Sequence, residues 1–295
     1  VKNDEKDNVI YSFSPGHIPV AELEAGEILV VETADSFNGQ IQEWGQDLGG
    51  VDWNRVAPAT GPFFVSGAEP GDALEIDILE ITPGRQGVAV QVPKEGVLAG
   101  GKDLAARVYA LGPGGLAFAD GISLSVEPMI CVIGVAPGDK EVSSRLAGPH
   151  GGSLWAREIR TGSKLYLPVF VPGALFALGD VLLYSGEGAV SGGGIGASAT
   201  IRIKVEVVKG MKLQGPQIAT EGGTFFLASA PSLTEAARQA CHRGVDYVTK
   251  TTGLPFVEAY IAVGAVGRLS FSHGTRPPFI AKLFVPRLLK ALPGE

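Results

Sequence analysis

Cysteine is scarce in this chain: 295 residues carry two, Cys131 and Cys241, with no metal-type spacing between them. A disulfide-stapled framework and a cysteine-built zinc knot are therefore excluded as organising devices. One disulfide is open, but two small buried thiols better suit the apolar run Met129–Ile133 around Cys131 and the helical setting of Cys241. Histidine is nearly as rare, at four: His17, His150, His242 and His273. A catalytic cysteine needs an imidazole facing it, and His242, next to Cys241, does not face it on a helix. Lys and Arg nowhere cluster. With 24 of them against 31 acidic residues and a net charge of −7, no phosphate-tracking surface is expected and no nucleic acid partner.

An uninterrupted apolar span is also missing. The longest apolar stretch, Leu165 to Tyr184, is broken by Pro168, Pro172, Gly173, Gly179 and Asp180, and opens by alternating Leu165, Leu167, Val169, Val171. That pattern suits buried strands around a turn, not a spanning helix. A soluble chain with no membrane partner is expected. The opening Val1–Asp7 is polar and charged, without a signal peptide, which makes the cytoplasm the favoured compartment.

What the chain has in quantity is turn residues, with 42 glycines and 20 prolines, beside 45% hydrophobic residues. Frequent punctuation with few helix-period segments predicts many short strands. Residues 20–33 read as strand, turn, strand, and residues 61–81 repeat the style around Glu69–Asp72. Leu74, Ile76 and Ile78 alternate with Glu75 and Asp77, and Ile201, Ile203, Val205 and Val207 share one face. The glycine run Ser191–Ser198 precedes an alternating strand rather than a helix, so it reads as a turn or bulge and not a phosphate cradle. Helix is confined to the C-terminal quarter. Ser232 and Glu235 have capping-box spacing, Ala236, Ala240, Val245 and Val248 follow at helical intervals, Gly253 stops the helix, and Pro255 suits the start of a second one near 255–265. The expectation is a mainly β fold: a β-sandwich or barrel-like body over 1–215, with a smaller α+β portion over 216–295 packed on it.

Four segments, in order along most of the chain, resemble the acetamidase/formamidase family. They are Glu32-Thr33-x-Asp35 with Gly39-Gln40-Ile41; Pro58-x-Thr60-Gly61-Pro62 with Gly67-Ala68-x-Pro70-Gly71-Asp72; His150-Gly151-Gly152; and the apolar run from Leu165 to Gly179-Asp180. The resemblance implies hydrolysis of small linear amides, and it makes Asp35, His150, Asp180 and Glu187 the candidate residues. Hydrolysis needs an activated water, an oxyanion stabiliser and an acid for the leaving ammonia. Glu187 would be the base, with His150 and Asp180 as catalytic partners, while Asp35 and His150 could ligate a divalent metal such as zinc or calcium. Each also has a plain structural reading: Asp35 as a turn former before Gly39, His150 as a loop residue, Asp180 as a turn cap, and Glu187 as an exposed side chain between glycines.

The departures from the family pattern fall at polar positions. Ser153-Leu154-Trp155 stands where Asn-x-Asp is usual, Leu182 where His is usual, Ala189 where Glu is usual, and Gly267–Ser272 departs from the usual Gly-Asp-Leu-Arg-Ile-Ser. Buried polar groups cost about 1–3 kcal/mol when unpaired, so a site released from catalysis is expected to fill with apolar side chains. The favoured expectation is thus a catalytically degenerate member, kept as a structural or self-assembling homo-oligomer. An active amidohydrolase releasing ammonia from formamide or acetamide, and a protein that binds a small amide without turnover, stay open beside it.

Overall fold

The computed structural model describes residues 8–93, 95–98 and 104–287, so the polar opening Val1–Asp7 lies outside the described residues. The fold is mainly β. Two sheets, of twelve and eight strands, face each other. In the first, the central strand Phe176–Tyr184 is flanked on one side by Met129–Gly134. On the other side Ala59–Val65 pairs with its first half and Ile195–Ala197 with its second. The second sheet orders Arg268–His273, Phe279–Pro286, Gly223–Ala230, Gln217–Thr220, Lys164–Pro168, Ala73–Pro83, Ala199–Val208 and Ile28–Thr33, with every pair antiparallel. Strands from before and after residue 215 lie in this one sheet, since Gln217–Thr220 pairs with Lys164–Pro168.

The strands predicted around short turns are present, but their partners differ from simple hairpins. Ala21–Leu23 joins the first sheet and Ile28–Thr33 the second; Ala59–Val65 and Ala73–Pro83 divide in the same way. So do the two strands of the Leu165–Tyr184 run. Each connection crosses the sandwich instead of folding back on its own edge. The reason lies in composition: these strands carry inward apolar residues that need a facing sheet, and period-2 patterning does not reveal which strand lies alongside. The main core between the sheets joins Phe63, Ile130, Phe176, Leu178 and Val181 to Leu29, Ile76, Leu165, Ile201 and Ile203. Each such side chain, fully buried, contributes about 1.5–3 kcal/mol of transfer free energy.

Helices α1 (Leu233–Thr252) and α2 (Phe256–Val266) form a third layer on the outer face of the second sheet. Ser232 caps α1 by accepting the Glu235 N–H at 3.2 Å, while the Glu235 carboxylate turns to Arg238 and Gln239, so half of the capping box forms. Gly253 ends α1 with φ of 75°. Alternation in Gly223–Ala230 sends Phe225 and Leu227 into the sandwich core and Phe226, Ala228 and Ala230 toward the helices. Gly244 lets α1 approach closely, since a Cβ there would sit 2.4 Å from Leu283. Among the described residues no helix is long and apolar enough to cross a membrane.

Candidate active site

The central strand Phe176–Tyr184 changes its facing part-way along. Phe176 and Leu178 point into the sandwich core, but after Asp180 it is Val181 that does so. Asp180 makes the switch with a left-handed φ of 48°, a strained conformation for a residue other than glycine. Asp180 and Leu182 are thereby turned to the outer face, where Leu182 joins Met129, Cys131 and Trp155. The neighbouring strand keeps register across this point, with Ile130 opposite Val181 and Val132 opposite Gly179, so Cys131 and Asp180 lie between them.

Over this face folds the segment that follows Thr33. The Asp35 carboxylate accepts the N–H of Phe37 at 2.8 Å and of Gly39 at 3.1 Å, closing a tight turn. That turn carries Ser36 onto Asp180, whose carboxylate accepts the Ser36 hydroxyl. Gly196, opposite Leu182, leaves the necessary room: a Cβ there would fall 1.9 Å from the Ser36 oxygen. Burial pushes the Asp180 carboxyl up to about 6, helped by the Asp35 charge and opposed by the Ser36 hydrogen bond. Burial also raises Asp35. Burial, and then the Asp180 charge, push the Cys131 thiol far up, so it is a neutral thiol here, 3.6 Å from the Ser153 hydroxyl.

Asp180 stands at the junction of two cavities of about 70 Å³ and 410 Å³, both of which also touch Ala57, Arg145, Trp155 and Arg276. Trp155, at a left-handed φ of 53°, lies against His273 with ring centroids 5.7 Å apart. Burial, aided by the Arg276 charge, holds His273 below its ordinary value. The rest of the larger cavity's wall is mostly apolar, with Phe37, Trp53, Val90 and Leu182, but Ser36 and Glu95 line it too, and Glu95 lies 4.0 Å from the Arg276 guanidinium.

The four residues singled out from the sequence do not converge. Asp35 and Asp180 are close enough for their charges to interact. His150 lies elsewhere, buried edge-on to Phe13 at 5.4 Å between centroids, and lines neither cavity. Its Nε2 has no hydrogen-bond partner among the described residues, and burial, with the Lys140 charge, lowers its pKa to about 4. Glu187 opens a separate cavity of about 1050 Å³ and accepts from the buried Lys282 ammonium at 2.9 Å. Lys282 also donates to both oxygens of Glu158 at 2.7 Å, so the amine is held by two carboxylates. Through this pair Glu187 anchors the segment leading to Gly192, Gly193 and Gly194, which line the 410 Å³ cavity. Among the described residues no group of three or more His, Cys, Asp or Glu side chains is arranged to hold a metal ion.

Ser36, Arg145, His273 and Arg276 are the site residues that the sequence reading did not single out. Ser36 sits inside the Glu32–Ile41 segment, and its neighbour Asp35 drew the attention; the other three carry no spacing that ties them to Asp180. Two of the apolar replacements do reach the site, since Trp155 and Leu182 are both in the cavity wall, whereas Ala189 is buried beside Glu187.

The model of the acetamidase/formamidase family matches residues 2–107 and 134–287. The chain belongs to this family. It is 35% identical to an acetamidase of Bacillus halodurans, whose crystal structure superposes with a TM-score of 0.92 over 95% of each chain. It is similarly related to a predicted acetamidase/formamidase of Thermoanaerobacter tengcongensis, at 36% identity and a TM-score of 0.92, covering 96% of this chain and 94% of that one. A formamidase of Methylophilus methylotrophus is 24% identical over 327 residues, 83% of this chain and 80% of the relative. Amide hydrolysis is thus the activity named among its relatives.

Proposed function

We propose that this family member is an active amidohydrolase that breaks the carbon–nitrogen bond of a linear amide, with Asp180 as the group that moves the proton. The observation that carries this reading is the Asp180 carboxyl itself. It is buried, tied on one side to Ser36, open on the other to a cavity, and raised to about 6. A carboxyl poised near the working pH suits general base and general acid steps in turn. Ionised Asp180 takes a proton from water as the water oxygen bonds to the carbonyl carbon. It then returns the proton to nitrogen, the carbon–nitrogen bond breaks, and ammonia and the carboxylic acid leave. Arg145, lining the same cavity, supplies positive charge for the oxyanion, joined by Arg276, whose charge is partly offset by Glu95 at 4.0 Å.

A second reading has its own observation. Leu182 and Trp155 put apolar surface where the family pattern has His and Asp, which favours a degenerate member retained as a self-assembling scaffold. The exposed α2 side chains Phe256, Val257, Tyr260 and Ile261 suit contact with another copy. Ammonia release from a panel of linear amides, with and without added zinc or calcium, separates the two. Turnover that disappears in Asp180→Asn upholds the hydrolase. A folded protein with no turnover of any amide under any of these conditions sinks it and leaves the scaffold.

A further inference from the structure

The cavity beside Asp180 is a poor match for the smallest amides. At about 410 Å³ it falls in the range of pockets that enclose much larger ligands. Formamide has three heavy atoms and fills little more than the space of about two waters, at about 30 Å³ each in the liquid. Ser36, Glu95, Arg145 and Arg276 could hold some water beside Asp180, but the remainder would lie against Phe37, Trp53, Val56, Val90, Trp155 and Leu182, which offer almost no hydrogen bonds. Phe37 and Trp53 meet edge to face, with centroids 6.5 Å apart, and so form a firm aromatic wall.

The strand geometry gives this apolar space a direction. Asp180 and Leu182 both face the cavity, and positions two apart on a strand are separated by about 7 Å. An amide whose carbonyl carbon lies at Asp180 would therefore carry its acyl group over Leu182, and that length suits a ring or a short branched chain. Beneath it Leu182 packs with Met129, Cys131 and Trp155, so the floor under the acyl group is apolar and close-packed. We infer that the substrate is an amide bearing a bulky apolar acyl group, aromatic or branched, in place of the hydrogen of formamide or the methyl of acetamide. This rests on the hydrolase reading above, and it turns Leu182 and Trp155 from lost polar groups into the residues that set acyl specificity.

The experiment has two arms on the intact chain. In the first, kcat/KM is measured for formamide, acetamide, butanamide, hexanamide and phenylacetamide. Burying each methylene is worth about fourfold, so the values should climb along the series, with phenylacetamide at least about a hundredfold above acetamide by the same reckoning. Leu182→Ala should compress that ratio by about tenfold, as contact with the acyl group is lost. In the second arm, phenylacetamide is titrated into Asp180→Asn while tryptophan fluorescence is followed; Trp53 and Trp155, two of the three tryptophans, line the cavity. A rising series with saturable quenching upholds the inference. Acetamide turned over as well as phenylacetamide overturns it and leaves the hydrolase standing. Saturable quenching with no turnover of any amide overturns the hydrolase reading and the substrate claim built on it. Neither turnover nor quenching overturns both.

Discussion

Asp180→Asn isolates the cost of keeping a charge in this site. The variant has nearly the same shape, and its side-chain oxygen can still accept the Ser36 hydroxyl, but it cannot ionise. In the folded chain Asp180 holds its proton up to about pH 6, whereas the ordinary value is 3.8. Between those values the folded state binds more protons than the unfolded one, so this group's contribution declines as pH rises and is fully lost above about 6. At about 1.4 kcal/mol per pH unit the loss is about 3 kcal/mol at neutral pH. His150 works in the opposite sense. Its imidazole, lowered to about 4, favours folding fully above the ordinary 6.5 and progressively less as pH falls toward 4. In the wild type the two nearly cancel on acidification. The wild-type curve also carries the other shifted groups, among them Asp35, Asp72 and His273, so the measurement is the difference between variant and wild type in urea unfolding, followed by tryptophan fluorescence from pH 4 to 8. The Asn variant should gain about 2.5 kcal/mol on the wild type at pH 7.5 relative to pH 4, which is about 5 °C in Tm at the low end of the slope for large domains. A buried unpaired amide N–H would lower the whole variant curve equally and leave that difference unchanged. The other charged or titratable groups near Asp180, namely Asp35, Glu95, Cys131, Arg145, His273 and Arg276, are common to both proteins. A difference that is constant with pH, or that grows toward acid, refutes the claim that burial strains this carboxylate.

Lys282→Met removes a fully buried cation and leaves the partly exposed Glu158 and Glu187 without it, so urea denaturation should show a loss of about 1–3 kcal/mol; a gain in stability would mean that burying the cation costs more than its two carboxylates return. Gly196→Ala drives a methyl into Ser36 and should cost about 1–3 kcal/mol while lowering kcat, checked by Tm and ammonia release. Ser36→Ala removes a hydrogen bond that holds the Asp180 carboxyl down, so the acid limb of the kcat/KM pH profile should move upward; a limb that stays in place or moves down removes Asp180 from the rate-determining proton transfer.

The elements of this fold were legible where one face of a strand or helix is buried. Ala236, Ala240, Val245 and Val248 announce α1 because only a helix brings them together, and Ser232 and Gly253 mark its ends to within a residue. Sheet membership was not legible. Nothing in the alternation of Leu74, Ile76 and Ile78 says that their strand leaves its predecessor Ala59–Val65 for the opposite sheet, since each partner offers the same apolar face.

The site was legible in its residue types and not in its contacts. Asp180 and Glu187 both follow glycine, and spacing alone offers no reason to separate them. Their partners do: Asp180 meets a hydroxyl and an open cavity, while Glu187 meets a buried ammonium that lies 95 residues away in the chain. The same limit applies to the substitutions. Read along the chain, Trp155 for Asp and Leu182 for His are two independent losses. In the fold they share one apolar cluster with Met129 and Cys131. A histidine returned at 182 alone would give up the packing of Leu182 on Met129, Cys131 and Trp155. An aspartate returned at 155 alone would add a further carboxyl, besides Asp35, near Asp180 and raise its pKa further. Restoring either by itself should thus lose stability, whereas an imidazole and a carboxylate restored together could pair with each other, and a double-mutant cycle should show favourable coupling between them. On the hydrolase reading proposed above, the two replacements act as one change, because they give the cavity a single apolar wall.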